Sequence, residues 1–173
     1  MITHERMLTT RGLAGRVRRY HTWPTLHQET VGEHTHRVAT LFLQLFGTPR
    51  VEVLEYILQH DSGELSSGDM PFYAKRDVPE LKHYMNRAEG RGRERLKIEM
   101  PKLTDEEWTQ FKLCDLLQML EFALIEMEMG NRYAGPIKMN VLDALDKFEG
   151  LSRDQVNAAV LVVYDGIPTG DIA

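Results

Sequence analysis

Between residues 30 and 46 the apolar positions fall on one helical stripe: Val31, Val38, Leu41, Phe42 and Leu45, with polar residues between them. Thr30 followed by Glu33 is a capping box that opens this helix, and Gly47 with Pro49 closes it. The same pattern predicts helices over 9–20 and 51–61, and a charged, partly peripheral one over 78–100. Thr104 with Glu107 caps a further helix that reaches Met129 and stops at Gly130-Asn131. Two more fill 136–148 and 152–164. The last contains the β-branched run "AAVLVVYDG", but Ser152 with Gln155 three residues on reads as a helix N-cap. The segment 111–129 is apolar on most faces, which marks it as the central buried helix. Strand signals are weak, and no repeat or linker divides the chain. The expectation is an all-α fold of six or seven helices in a single domain over 1–173.

Charge and composition narrow the class. The formal net charge of −5 gives no global attraction to nucleic acid or to anionic membrane, so no stable nucleic-acid partner is expected. No apolar run approaches the ~18 residues of a membrane span. Cys114 is the lone cysteine, which excludes an intrachain disulfide and fits a reducing compartment. With a polar N-terminus lacking a signal core, the expected location is cytoplasmic.

Four ionisable residues sit where apolar ones belong. His34 lies three after Val31 and four before Val38, on the inward stripe. His60 and Asp61 lie three and four after Ile57, and Asp115 lies four after Phe111, inside the most apolar helix. Each has an ordinary explanation alone; Asp115, for example, has Lys112 three residues back as an ion-pair partner. Together, three helices that each push such a group toward the core predict a shared cation, because buried charge must be paired or bound. Two imidazoles and two carboxylates suit Zn²⁺, Mn²⁺, Co²⁺ or Fe²⁺ better than Ca²⁺.

The order H…HD…D is the signature of the HD superfamily of metal-dependent phosphohydrolases. The segments "RRYHTWPTLHQETVGEHTHRVA", "HDSGELSSGDMPFYAK" and "FKLCDLLQMLEFALIEMEMGN" resemble, in order and roughly in spacing, those of the YfbR-like bacterial 5′-deoxynucleotidases. In length and in "WPTLHQETVGEHT" the chain is also similar to phage-encoded relatives that hydrolyse dATP and so support replacement of adenine by 2-aminoadenine. The resemblance implies His34, His60, Asp61 and Asp115 as ligands to one divalent ion (Zn²⁺, Co²⁺ or Mn²⁺, with Mg²⁺ a candidate at the phosphates). It implies Glu64 as the acid that handles the proton of water, Arg19 and Lys75 at the phosphate, and Asp69 near the sugar. Tyr20 stands where the deoxynucleotidases carry tryptophan, so Trp23 is expected to share selection of the sugar. A deoxynucleotide substrate, dATP before dNMPs, and a homo-oligomer are the remaining expectations. Rival readings are a cyclic or signalling nucleotide phosphodiesterase and a non-catalytic nucleotide-binding module. The cationic stretch "NRAEGRGRERLK", with Arg87, Arg91, Arg93, Arg95 and Lys97, is a candidate contact for extra phosphates, and Gly90 and Gly92 are expected to loosen its helix by about 1 kcal/mol each.

Overall fold

A computed structural model describes residues 11–71, 74 and 77–167. Lys75 and the first residues of the expected 9–20 helix lie outside the described residues. The described chain forms six α-helices: α1 (Val31–Phe46), α2 (Val51–Gln59), α3 (Leu81–Arg95), α4 (Asp105–Glu128), α5 (Gly135–Asp146) and α6 (Arg153–Gly166). Short 3₁₀ turns occupy Arg11–Arg16, Ser62–Leu65 and Arg132–Ala134. No strand occurs among the described residues, so the fold is all-α as expected. No helix among them is long and apolar enough to cross a membrane.

The three capping boxes read from the sequence all form. Thr30, Thr104 and Ser152 each accept from the backbone N–H three residues on, and Glu33, Glu107 and Gln155 return the bond. These ends are fixed locally, which is why they were legible. Gly47 ends α1 with φ of 78°, a backbone conformation that costs glycine little.

α4 is the central helix. Its 24 residues span about 36 Å at 1.5 Å each, and buried side chains occur around its circumference, among them Phe111, Leu113, Leu117 and Leu120. Around it pack Val38 and Phe42 of α1, Ile57 of α2, Val141 and Leu145 of α5, and Val156 and Val163 of α6. α3 is peripheral, as its charge demands: only Met85 and Gly92 of it are buried.

Two expectations are corrected. Within 9–20 the described residues form not an α-helix but the 3₁₀ turn Arg11–Arg16, followed by an antiparallel bridge between Arg18 and Thr30. Gly12 and Gly15 weaken a helix there, and Gly15 lies against Gly32 of α1, where an added Cβ would be 3.4 Å from the Gly32 Cα. The bridge, with Arg19 N–H donating to Glu29 O (2.9 Å) and Val31 N–H to Val17 O (2.9 Å), turns the segment between into a closed loop. Gly92 does not loosen α3. It lets α3 approach the turn Ser62–Leu65, since a Cβ at Gly92 would be 2.5 Å from Gly63 O, and one at Gly63 would be 2.5 Å from Glu89 O.

Candidate metal centre

His34 projects from the first turns of α1 and is fully buried. His60 caps the C-terminus of α2, and the chain turns sharply after it, so that Asp61 follows on the same side. Asp115 comes from α4. Their donor atoms converge. His34 Nε2 is 3.3 Å from His60 Nε2, 3.6 Å from Asp61 Oδ2 and 3.2 Å from Asp115 Oδ1. His60 Nε2 is 3.3 Å from Asp61 Oδ2 and 3.9 Å from Asp115 Oδ1. An ion held at ~2.1 Å by four to six such donors keeps neighbouring donors about 3.0–3.4 Å apart. These separations start within that range and run a little above it; the donors of His34, His60 and Asp61 all lie within 4.8 Å of one another and fit a divalent ion, with Asp115 Oδ1 turned to the two histidines.

The protonation pattern fits as well. His60 Nδ1 donates to Ile57 O at 2.7 Å, and His34 Nδ1 donates to Gln118 Oε1 at 2.5 Å. Both rings therefore turn the lone pair of Nε2 toward the centre, as a ligand requires. Burial pushes the Asp61 carboxyl up, but His60, Arg19 and His34 outweigh it and hold it well below the usual carboxylate range. At Asp115 burial is likewise overcome, chiefly by Lys112 and then by His34. Burial lowers His60, yet Asp61 and Asp115 raise it above its ordinary value: the two carboxylates call for a positive charge at the centre. Lys112 and the histidines divide Asp115 between them: its Oδ2 takes the Lys112 ammonium, as the ion-pair reading expected, and its Oδ1 faces His34.

His60, Asp61 and Asp115 of the cluster form part of the wall of a cavity of about 730 Å³, within the usual range for small-molecule sites. Arg19, Tyr20, Trp23, Glu64 and Asp69 line the same cavity. Glu64 is buried on the turn Ser62–Leu65. Arg19 is buried, with its NH1 group donating to Asp61 Oδ2 at 2.9 Å and Nε 3.2 Å from Glu29 Oε2. Tyr20 takes a left-handed backbone, φ 53°, which is rare for a bulky residue and costs on the order of 1–3 kcal/mol. It is held there from three sides: its N–H donates to Asp69 Oδ2 (3.1 Å), its carbonyl accepts from Trp23 N–H (2.8 Å), and its ring stacks on Phe122 at 4.4 Å. Part of the lining is apolar, including Leu116 and Met119 of α4 and Ile137 and Val141 of α5. Of the cations expected to meet extra phosphates, Arg93 lines the cavity, whereas Arg87, Arg91, Arg95 and Lys97 are exposed and do not; Lys82, earlier in α3, lines it too.

Four further residues support the site without having been singled out in the sequence. Gln118 and Glu29 are fully buried and link His34 to Arg19. Glu126 accepts from the N–H groups of Leu26 (2.8 Å) and His27 (2.7 Å), and Asn131 bridges Glu126 to Pro24 O. These bonds tie the loop that carries Trp23 to the end of α4. The available signal was a polar residue inside a helix that is apolar all round: Gln118 lies one turn after Asp115.

Among curated protein sequences none matches the chain. A solved structure of the HD phosphohydrolase DatZ of cyanophage S-2L, bound to dA and one catalytic Zn²⁺ ion, has the same fold. The TM-score is 0.67 at 20% sequence identity, over 90% of this chain and 92% of that one. A family model described as 5′-deoxynucleotidase YfbR-like matches residues 14–157, a span that holds the whole cluster and every described residue of the cavity wall. By that match the chain belongs to the YfbR-like 5′-deoxynucleotidase family, and it is an HD-type metal-dependent phosphohydrolase of deoxynucleotides.

Proposed function

We propose that the protein cleaves the 5′ phosphoester of 2′-deoxynucleotides, with dATP as substrate and deoxyadenosine and triphosphate as products. The observation that carries this reading is the convergence of His34, His60, Asp61 and Asp115, the last three of them lining a cavity that Lys82 and Arg93 of α3 also line. Those four residues would hold the divalent ion, and their nitrogen and oxygen donors suit Zn²⁺, Co²⁺ or Mn²⁺. Bound there, the ion supplies a Lewis acid for the phosphoryl oxygen and lowers the pKa of a coordinated water to roughly 7.

The chain's own residues do the rest. Glu64, buried beside the cluster, takes the proton from the attacking water and can return it to the 5′ oxygen. Arg19 is positioned by Glu29 and Asp61 with its planar donor fork at the cavity, where it stabilises charge on the phosphorus under attack. Water adds to the α-phosphorus, the bond from phosphorus to the 5′ oxygen breaks, and that oxygen leaves protonated. Tyr20, fixed in its left-handed backbone and stacked on Phe122, supplies a rigid edge against the 2′ position, with Trp23 beside it.

Charge decides how a triphosphate would have to enter. Among the described lining residues the carboxylates Asp61, Glu64, Asp69, Glu89 and Asp115 face the cations Arg19, Lys82, Arg93 and Lys112. With a divalent ion added the wall is only slightly positive. That balance accepts a phosphate monoester, or a triphosphate that brings Mg²⁺ with it, because the two carry similar net charge. The second reading is therefore a 5′-deoxynucleotidase acting on dNMPs, favoured by the description of the matching family. Product analysis by ³¹P NMR separates them. Intact triphosphate released from dATP, in a reaction that needs Mg²⁺ as well as the transition metal, supports the triphosphohydrolase. Orthophosphate from dAMP with dATP inert supports the nucleotidase, and no turnover of either contradicts both.

A further inference from the structure

Behind the cluster runs a chain of buried polar contacts that returns to it. His34 Nδ1 meets Gln118 Oε1 at 2.5 Å, and Gln118 Nε2 meets Glu29 Oε1 at 2.6 Å. Glu29 Oε2 lies 3.2 Å from Arg19 Nε, and the Arg19 NH1 group donates to Asp61 Oδ2 at 2.9 Å. Asp61 Oδ2 in turn lies 3.6 Å from His34 Nε2. His34, Gln118 and Glu29 are each at most 1% exposed and Arg19 is 8% exposed, so water does not compete for these bonds.

The ring has a direction. Arg19 has donors only, and the Glu29 carboxylate, an acceptor, faces it as an ion pair. The second oxygen of Glu29 must then accept from the amide of Gln118, so Nε2 is the atom of Gln118 that faces Glu29. Oε1 is left for His34, and an oxygen there demands a proton on Nδ1. In the neutral ring of His34 the proton is thus on Nδ1, and Nε2, turned to the centre, carries the lone pair. The same carboxylate that orients Gln118 also balances the Arg19 guanidinium and leaves its NH1 group for Asp61.

We propose that Gln118 and Glu29 form a positioning relay that sets the His34 tautomer and the Arg19 orientation from one buried carboxylate, so that metal affinity and phosphate binding are coupled through it. The role given to Arg19 rests on the proposed function, whereas the effect on metal affinity does not. Of His34 and Arg19, Gln118 bonds to His34 alone and reaches Arg19 only through Glu29, so its loss acts first on the metal. Supporting hydrogen bonds to ligating histidines are typically worth about 10–100-fold in metal affinity.

The relay's polarity gives a test that simple packing would not pass. In Gln118→Glu a second carboxylate faces Glu29 across 2.6 Å, and Zn²⁺ affinity measured by competition with a chromogenic chelator should fall about 10–100-fold. Adding Glu29→Gln restores the ring with donor and acceptor exchanged: residue 29 donates to residue 118, accepts from Arg19, and residue 118 still accepts from His34. The double variant, at unchanged total charge, should regain Zn²⁺ affinity to within a few-fold of the wild type. Should Gln118→Glu not fold, Gln118→Met keeps the length of the side chain and removes only the bonds, and it should show the same weakening with unchanged far-UV circular dichroism. Wild-type Zn²⁺ affinity in folded Gln118→Glu or Gln118→Met overturns the relay, as does a folded double variant that binds no better than Gln118→Glu. Weakened Zn²⁺ binding with no phosphohydrolase activity in the wild type leaves the relay standing and removes the functional reading.

Discussion

Two glycines of α3, two residues apart, should answer the same substitution with opposite signs. Gly90 has open space where a Cβ would go, whereas at Gly92 a Cβ would lie 2.5 Å from Gly63 O and 3.0 Å from Ser66 Oγ. Carbon-to-oxygen contacts normally stand at about 3.3 Å or more, so α3 and the turn Ser62–Leu65 must part by about 0.8 Å. The obstacle is backbone, so no side-chain rotation relieves it. Overpacking of this kind costs about 1–3 kcal/mol, offset by about 1 kcal/mol of helix propensity gained in replacing glycine by alanine. Gly92→Ala should therefore be destabilised by up to about 2 kcal/mol, which for a chain of this length lowers Tm by up to about 8 °C. Gly90→Ala collects the propensity without the clash and should melt about 2–4 °C above the wild type. Scanning calorimetry on the three proteins reads both shifts. The displaced turn carries Glu64, so Gly92→Ala should also lose turnover at temperatures where it is fully folded. Equal melting temperatures for the two variants would refute the close approach of α3 to the turn.

Glu64→Ala should bind metal and nucleotide as the wild type does but turn over about 10²–10⁴-fold more slowly, as read by single-turnover kinetics; an undiminished rate would remove Glu64 from the chemistry. Tyr20→Ala should narrow the preference for dATP over ATP, read as the ratio of kcat/KM values, and equal use of the two by the wild type would contradict the role given to Tyr20. Burial tends to raise Glu126, but the Asn131 amide and the Leu26 and His27 N–H groups outweigh it and lower its pKa. Its contribution to stability is therefore complete above the ordinary pKa of 4.5 and lost as pH falls through the lowered folded value. Urea midpoints measured from pH 6 to pH 3 should fall less steeply in Glu126→Gln than in the wild type, and parallel curves would deny Glu126 that role.

What the sequence made legible was local. Capping boxes lie within four residues, so Thr30, Thr104 and Ser152 announced three helix starts correctly. The histidines and aspartates of the cluster showed because each interrupts an apolar stripe, and periodicity alone put them on inward faces. Two kinds of information were missing. Close approach between distant segments left only an ambiguous glycine: Gly92 reads as a helix weakener and Gly15 as one more residue of an expected helix, whereas their space is taken by Gly63 and Gly32. Partnership across sequence distance was equally hidden. Gln118 and Glu29 lie 89 residues apart and bond at 2.6 Å, and neither breaks its local pattern enough to name the other. The cationic stretch failed for a third reason. A helix faces several ways at once, so of its cations from Arg87 to Lys97 only Arg93 meets the cavity.

The convergence of His34, His60, Asp61 and Asp115 on a single divalent ion is the claim on which the rest depends, and calorimetric titration with Zn²⁺ tests it most directly. The wild type should bind a single high-affinity ion per chain. Asp115→Ala should lose that binding while far-UV circular dichroism stays unchanged, because the carboxylate serves the centre and not the helix that carries it. Full Zn²⁺ occupancy in Asp115→Ala, or no high-affinity binding in the wild type, would contradict the account.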